Sequence, residues 1–529
     1  VYMLPMALSP GEIEEMVSRL SRITGVPKSK ILKNVDEKKE HPFEPVLIAD
    51  NLNMKVVTSL EEEKYKLKGI TVASRPVRYY REKVASHLLG YVGEITTEEL
   101  KNLSGLGYRI GDLVGKDGVE ATYDLSLRGK DGGELIEVDV YGKPIKIAGQ
   151  LDPIPGKDLI LTLDLELQKT VEKSLLHKEG AVIVIDPRNG EILALASSPT
   201  YNPDIFARPL SKEEWERIDK KGHPFMNRAI SHYPPGSIFK VITLSTVLQE
   251  GIAGKDEVIE CKGKYTIGDR TATCWRENGH GKVTIIEGLV WSCDIVFYEL
   301  GLRSGVTLLS KYAKGYGLGE KTGIDLPGEA EGLVPTAAYK KKSFGEEWVK
   351  GDSVNMGIGQ GYILATPVQM ANVYSLIATS QSYIPHVVKE IKDREGKTVF
   401  NYEPKILRKA PISQENLNLI AETLREVIKR GTGVAARISG IPASGKTGTA
   451  ENPKEPHAWF ICYAPYKNPE ILIVSFIAHG EHGDRVTAYI ARDILAWYKK
   501  NRLQREVAET EEKFEQYIQH PGYREIYRP

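Results

Sequence analysis

Four cysteines in 529 residues are too few to build a disulfide scaffold. No run of 18 apolar residues occurs, which excludes a membrane-spanning helix within this sequence. Neither sign of charge is in excess: Lys plus Arg number 71 and Asp plus Glu 71. The electrostatic footprint of a nucleic-acid binder is therefore missing. Internal repeats and low-complexity tracts are absent too. What is present is a globular composition, 41% hydrophobic and 27% charged, which excludes global disorder. At roughly 150 residues per domain the length suggests three or four domains. The first residue is Val1 rather than Met, which leaves the expectation that an N-terminal signal or anchor has been removed.

Punctuation along the chain divides it. Ser9-Pro10 followed by Glu12, Glu14 and Glu15 reads as a helix start and Gly25 as a stop, within two short helices over 8–34. Over 41–150, short β-rich runs such as Val46-Leu47-Ile48 and Gly69-Ile70-Thr71-Val72 alternate with charged helical stretches and Gly-rich turns at 115–118 and 129–133. Asp152-Pro153-Ile154-Pro155-Gly156 marks a boundary, which gives a modular segment 1–155 with a helical head at about 8–70. Residues 156–500 then alternate strands and long helices. A strand is expected at 159–163 with a helix to Leu176, and a hairpin of buried strands over 181–196 turns at Pro187-Arg188-Asn189-Gly190. Two further strands are expected at 458–464 and 470–478, so a mixed domain with an antiparallel sheet fits. Residues 501–529 are charged and read as a solvated helix or mobile tail.

Tyr233-Pro234-Pro235-Gly236 breaks the chain ahead of a helix from Ser237 to Gly251 that is apolar on nearly all sides. Such a helix belongs in the middle of a domain. Ser237 falls in its first turn, where free N–H groups and the positive end of the dipole favour a developing alkoxide. Lys240 is one turn on, hence on the same face. A serine needs a base to become a nucleophile, and a lysine serves if burial and a second cation depress its pKa. Taken alone, Ser-x-x-Lys is equally a helix-start serine with a snorkelling lysine.

Ser292 follows 55 residues later in Trp291-Ser292-Cys293-Asp294, and is expected inside another apolar helix running through Ile295-Val296-Phe297-Tyr298. Ser292 is placed to relay a proton, and Asp294 to hydrogen-bond a substrate amide or Lys240. Lys-Thr-Gly occurs twice. The copy at Lys321-Thr322-Gly323 sits among glycines and reads as a structural turn. The copy at Lys446-Thr447-Gly448-Thr449 precedes two strands. On a strand beside the nucleophile, Lys446 supplies a cation, Thr447 and Thr449 supply hydroxyls for a carboxylate, and Gly448 permits close backbone approach. The N–H groups of Thr449 and Ser237 would form an oxyanion hole. In this order the three elements form a signature shared by penicillin-binding proteins and β-lactamases.

From these residues onward the chain resembles the elongation-type class B penicillin-binding proteins. The likeness includes 180–194, Asn227-Arg228, Gly357-Ile358-Gly359-Gln360-Gly361 with Ala365-Thr366-Pro367, and 446–451 in the catalytic half, with 87–93 and 115–129 ahead of it. Asp294 gives Ser-x-Asp where many of the wider class carry Ser-x-Asn. The resemblance implies an α+β multidomain protein. An elongated N-terminal pedestal (1–155) would carry a transpeptidase domain (156–500) with an antiparallel sheet flanked by helices and an all-helical part.

It implies D,D-transpeptidation of peptidoglycan stem peptides during cell elongation. Ser237 would be acylated, Lys240 would act as base, Ser292 as relay with Asp294 as its organiser, and Lys446, Thr447 and Thr449 would hold the terminal carboxylate. β-Lactams would mimic the donor. It further implies a RodA-like glycosyltransferase of the SEDS class and the scaffold MreC as partners. The location would be periplasmic, with an inner-membrane anchor ahead of Val1. A serine β-lactamase or β-lactam sensor uses the same motifs, but usually lacks a pedestal of some 150 residues, and no convincing base for a deacylating water is seen. A non-catalytic scaffold is the remaining alternative, and the intact motifs count against it.

Cys261, Cys274, His280 and Cys293 run as C-x12-C-x5-H-x12-C. Three thiolates and an imidazole form a closed ligand set for structural zinc, and relatives of the elongation type carry zinc at this location. A Cys261–Cys274 disulfide, or unrelated buried thiols, are the other readings. Cys462 reads as an inert core thiol.

Overall fold

The computed structural model describes residues 1–5, 8–37, 45–50, 52–73, 78–138, 144–207, 210, 212–220, 222–268, 270–480, 483 and 485–502. The charged tail lies outside them from 503 onward. Two compact units divide at Arg78 and Tyr79. Among the described residues no helix is long and apolar enough to cross a membrane.

In the first unit, β1 (Tyr2–Met3) pairs antiparallel with β2 (Val46–Leu47) and β3 (Ile70–Thr71). Helices α1 (Pro10–Thr24), α2 (Lys28–Glu37) and α3 (Met54–Glu62) pack with them. The start and stop of α1 are as expected: the Glu12 carboxylate accepts from both N and Oγ of Ser9 at 2.7 Å, and Gly25 ends the helix at φ 76°. Met16, Val17 and Leu20 of α1 share a small core with Ile31, Val35 and Leu60.

The second unit is built around a five-stranded sheet. In chain order its main elements are α4 (Leu165–Ser174), β4 (Gly180–Ile185), β5 (Ile192–Ser198), α5 (Lys240–Gln249), α6 (Ile285–Val290), α7 (Asp294–Gly315), α8 (Pro367–Thr379), α9 (Gln414–Arg430), β6 (Ser444–Ala450), β7 (His457–Ala464), β8 (Ile471–Ile477) and α10 (Thr487–Asn501). Strand order is β5-β4-β8-β7-β6, antiparallel throughout. Side chains alternate between faces. Val182, Val184, Phe460, Cys462 and Ile473 join Leu167 and Val171 of α4 and Ile490 and Ile494 of α10 in one core. Ala181, Ile183, Trp459, Ile461 and Val474 join Val241 and Leu244 of α5 and Val373 and Leu376 of α8 in the other. Both faces are covered, which is why these strands read as continuous apolar runs rather than as alternating ones. The strand expected at 159–163 is present as Asp158–Leu161, paired outside this sheet with Val388–Lys392.

The segment around His87 also belongs to the second unit. His87 Nε2 contacts the Pro224 carbonyl at 2.7 Å, and Ser86 Oγ donates to the Tyr201 carbonyl at 2.6 Å. The hairpin Gly133–Val138/Pro144–Leu151 precedes the Pro/Gly boundary.

A sheet edge exposes unpaired backbone groups and needs cover. At β5 part of the cover is Gln168 of α4, which is fully buried. Its Oε1 accepts from Leu195 N at 2.9 Å and its Nε2 donates to Leu195 O at 2.9 Å. Gln168→Leu strands both groups, and should lower stability by about 2 kcal/mol, read as a fall in Tm with no loss of the sheet's circular-dichroism signal. At the other edge, β6 faces the segment that carries Ser237.

Candidate active site

Tyr233 N donates to Ala365 O at 2.9 Å, and Trp459 Nε1 on β7 donates to Pro234 O at 3.0 Å. Gly236 N then donates to Gly359 O at 2.9 Å. Gly236 adopts φ 56°, and a Cβ there would lie 2.3 Å from Thr449 O of β6. Only glycine satisfies both demands. Ser237 follows, half-buried, on one 3₁₀ turn (Gly236–Phe239) that leads into α5. Because the i and i+3 side chains eclipse in a 3₁₀ turn, Ser237 and Lys240 still share one side.

Lys240 is fully buried. Its Nζ donates to Asp294 Oδ1 at 2.7 Å, Ser292 O at 2.9 Å and Ser292 Oγ at 3.3 Å. The other oxygen of Asp294 accepts from Trp275 N at 3.0 Å. Ser292 is not inside a helix as expected. It occupies the turn between α6 and α7 at φ 52°, in the left-handed region. The apolar run across it suggested helix continuity, but the chain reverses there, and Asp294 becomes the first residue of α7. Its carboxylate thus sits at the positive end of that helix.

On the other side stands β6. Lys446 is also fully buried, and its Nζ donates to Thr447 O at 2.9 Å. Burial first, and Lys240 second, hold its pKa well below the usual lysine range, with Asp294 opposing them. The cation expected at Lys446 is thus pressed toward its neutral form. A Cβ on Gly448 would lie 2.9 Å from Ile238 Cγ2, so the close approach expected there is present. Thr449 is half-buried. The first Lys-Thr-Gly copy is a turn: Glu329 Oε1 accepts from Thr322 N at 2.7 Å and from Thr322 Oγ1 at 2.6 Å.

Two neighbours were not foreseen from the sequence. Thr432 Oγ1 lies 2.6 Å from Thr447 Oγ1, carried by the turn after α9. Its only sequence signal is a threonine between Gly431 and Gly433 at a helix end. The other is Trp275, which follows Cys274.

Cys261, Cys274, His280 and Cys293 also come together, with their ligand atoms within 4.8 Å of one another. Cys261 ends the strand Val258–Cys261, Cys274 follows Arg270–Thr273, His280 precedes Gly281–Thr284, and Cys293 caps α7. His280 Nδ1 lies 3.6 Å from Cys261 Sγ and 3.5 Å from Cys274 Sγ, and its buried Nε2 has no partner among the described residues. All four cysteines are free thiols, so Cys261 and Cys274 are not joined. The Cys293 thiol hydrogen-bonds to the Cys274 sulfur, which lowers the pKa of Cys274 and raises that of Cys293, so the pair favours one thiolate. A tetrahedral ion with thiolate bonds near 2.3 Å and an imidazole bond near 2.0 Å separates sulfur from nitrogen by about 3.6 Å and sulfur from sulfur by about 3.8 Å, so the donor set fits. Cys462 is buried in the sheet core, and burial raises its pKa.

The profile of the penicillin-binding protein transpeptidase domain matches residues 180–496, and that of the penicillin-binding protein dimerisation domain matches residues 1–161. The chain belongs to the penicillin-binding protein transpeptidase family. It is similar to the peptidoglycan D,D-transpeptidase MrdA of Acinetobacter baumannii, 33% identical over 493 residues that cover 87% of this chain and 72% of that protein. Among solved structures it is similar to PBP2 in a complex with MreC from Helicobacter pylori, with TM-score 0.85, 29% identity and 94% of each chain covered. It is also similar to Pseudomonas aeruginosa PBP2 in complex with WCK 5153, with TM-score 0.72 and 30% identity over 83% of this chain and 94% of that one.

Burying the Lys446 amine should oppose folding. Its pKa is lower in the folded chain, so below the unfolded value of about 10.4 the unfolded chain binds more protons. Stability through this residue therefore rises with pH. Lys446→Met should stabilise the fold at neutral pH by on the order of 1 kcal/mol or more, read as a higher Tm. The gain should shrink as pH climbs toward 10, which thermal melts at several pH values will check.

Proposed function

We propose that the chain is a peptidoglycan D,D-transpeptidase that cross-links stem peptides during cell elongation, with Ser237 as the acylated nucleophile. The observation that carries this reading is the buried Lys240 amine, one turn from Ser237 and in contact with both Ser292 and Asp294. Ser237 Oγ attacks the carbonyl of the penultimate D-Ala. Its proton passes to Lys240 as the base, beside Lys446, whose amine burial presses toward neutrality. The N–H groups of Ser237 and Thr449 receive the oxyanion. Ser292 returns the proton to the departing D-Ala nitrogen, while Asp294 holds Lys240 in place. Thr447, Thr449 and the Lys446 strand seat the terminal carboxylate, with Gly448 admitting the close approach. An amine of a second stem then attacks the ester, forms the cross-link and frees Ser237. A β-lactam acylates the same oxygen by ring opening.

Residues 1–155 are read as the pedestal, 156–500 as the transpeptidase domain and 501–529 as a tail. The likeness to PBP2 bound to MreC supports an MreC-type scaffold as partner, and the likeness to a solved peptidoglycan synthase complex supports a RodA-type glycosyltransferase. A periplasmic location beside the inner membrane follows from that chemistry. Labelling by a fluorescent penicillin is expected for the unmodified chain and not for Ser237→Ala; an unlabelled unmodified chain overturns the reading.

We further propose structural zinc at Cys261, Cys274, His280 and Cys293. The ion would neutralise the buried thiolates and tie two β-ribbons to the first turn of α7. It takes no part in bond making. Purified protein should carry about one zinc per chain. Its removal by a chelator should expose thiols to titration, lower Tm by several degrees and slow acylation.

A further inference from the structure

Away from Ser237, a groove of about 320 Å³ lies at the end of α9. One wall is α9 itself, with Arg425, Ile428 and Lys429, and the other is the segment from Arg437 to Ala443. Ile428, Ile441 and Ala443 are buried and give the groove an apolar floor. Its rim is cationic. Arg425 lies over the Tyr466 ring, 5.1 Å from the centroid, and Arg437 Nη1 donates to the Lys429 carbonyl at 3.4 Å. Lys429 pairs with Glu426, but among the described residues no carboxylate stands within ion-pair distance of either arginine. An apolar floor below two such guanidinium groups suits a segment that carries both carboxylates and bulky apolar side chains. The two walls continue into the candidate site. α9 ends at the turn that sets Thr432 Oγ1 2.6 Å from Thr447 Oγ1, and Ala443 precedes Ser444, the first residue of β6.

The chain itself supplies a segment of that chemistry, and α10 delivers it to the rim. Lys499 Nζ donates to the Ser439 carbonyl of the second wall at 3.0 Å, and a Cβ on Gly440 would lie 3.3 Å from the same nitrogen. α10 ends at Asn501, so the chain leaves that helix beside the groove. The sequence that follows includes Glu506, Glu509, Glu511, Glu512 and Glu515 against the single cation Lys513 over 506–518. Phe514, Tyr517 and Ile518 stand among them at i, i+3 and i+4, the spacing by which one helical face fills an apolar groove. Extended, the chain from Arg502 to Phe514 reaches up to about 40 Å, so the tether does not limit the contact. A tether this short holds the segment at a concentration on the order of millimolar, and individually weak contacts then suffice to keep the groove filled.

We propose that residues 506–518 dock in the groove between α9 and 437–443, with Phe514 and Ile518 on its apolar floor and the glutamates against Arg425 and Arg437. The test is amide hydrogen exchange of 506–518 in the full chain, read by mass spectrometry. Exchange there should be slower in the unmodified chain than in the double variant Arg425→Glu/Arg437→Glu, by about tenfold or more. Adding Glu511→Lys, Glu512→Lys and Glu515→Lys to the double variant reverses both partners and should restore the protection. Tm reports the fold of each variant.

Equal exchange in the unmodified chain and the double variant overturns the proposal, whether both are fast or both are slow. Failure of the fivefold variant to recover protection also overturns it, because the contact is then not one of complementary charge. So does protection that is lost on dilution, which marks the segment of a second copy in the groove. Should the double variant fail to fold, Phe514→Ser/Ile518→Ser replaces it, since both changes lie outside the two compact units' described cores. The same loss of protection is then expected, and unchanged exchange is contrary.

Discussion

Two buried amines share one partly buried carboxylate, and the rest of the catalytic half is arranged around that imbalance. Lys240 takes Asp294, while among the described residues Lys446 has only the Thr447 carbonyl as a hydrogen-bond partner. Two ammonium groups in one weakly polarisable interior repel each other, and burial penalises both charges. Lys446 therefore gives up its proton more readily than lysine in water does. A neutral amine near a serine hydroxyl is what acyl transfer requires at neutral pH. The same arrangement opposes folding, and it persists because α5 and β6 are each locked by apolar packing on the same face of the sheet. Activity and stability draw on these two side chains in opposite directions.

The cleft lies where the sheet ends. An edge strand carries backbone N–H and C=O groups with no strand beside them. At β5 those groups are closed off by Gln168 together with Thr162, Asp164 and the His386 carbonyl, but at β6 the neighbour is a 3₁₀ turn brought so close that Gly236 has no room for a side chain. The unpaired backbone of β6 is thus available to a ligand only along the line where Ser237 stands. A peptide laid there would meet main-chain groups on one side and the Ser237 hydroxyl on the other, so under the proposed reading the edge would set both where substrate binds and which bond faces Ser237.

Local sequence foretold the parts of this arrangement that are written in short stretches. The hairpin at 181–196 was visible because Asn189-Gly190 breaks two apolar runs, and the nucleophile segment because Pro234-Pro235-Gly236 precedes a helix apolar on all sides. Choosing the second Lys-Thr-Gly over the first followed from the strands after it. The gathering of Cys261, Cys274, His280 and Cys293 was legible from ligand chemistry, although their spacing matches no short template. The left-handed Ser292 was not legible, since an apolar period runs through Trp291 and Ile295 without a glycine to announce a reversal. Thr432 and Gln168 were invisible for another reason. Each acts through a partner 15 or 27 residues away in sequence, and nothing local distinguishes it from an ordinary polar residue at a helix end or on a helix face.

Ser292 also explains why a cysteine- and histidine-bearing loop stands beside the site. A non-glycine residue at φ 52° persists only where its surroundings over-determine it. From inside, Lys240 binds its carbonyl at 2.9 Å. From the helix before it, the Gly288 carbonyl takes the N–H of Cys293 at 2.8 Å. From outside, the Cys293 sulfur meets the other three ligand atoms, and the loop that carries Cys274 offers the Trp275 N–H to Asp294. The residues on both sides of the turn are therefore gripped by a loop that contributes no atom to the chemistry. Without that grip the turn could relax toward helix, the path its sequence favours, and Asp294 would swing away from Lys240. The ligand cluster is thus best understood as the restraint that keeps one strained backbone turn, and through it the charge balance of the two amines, in place.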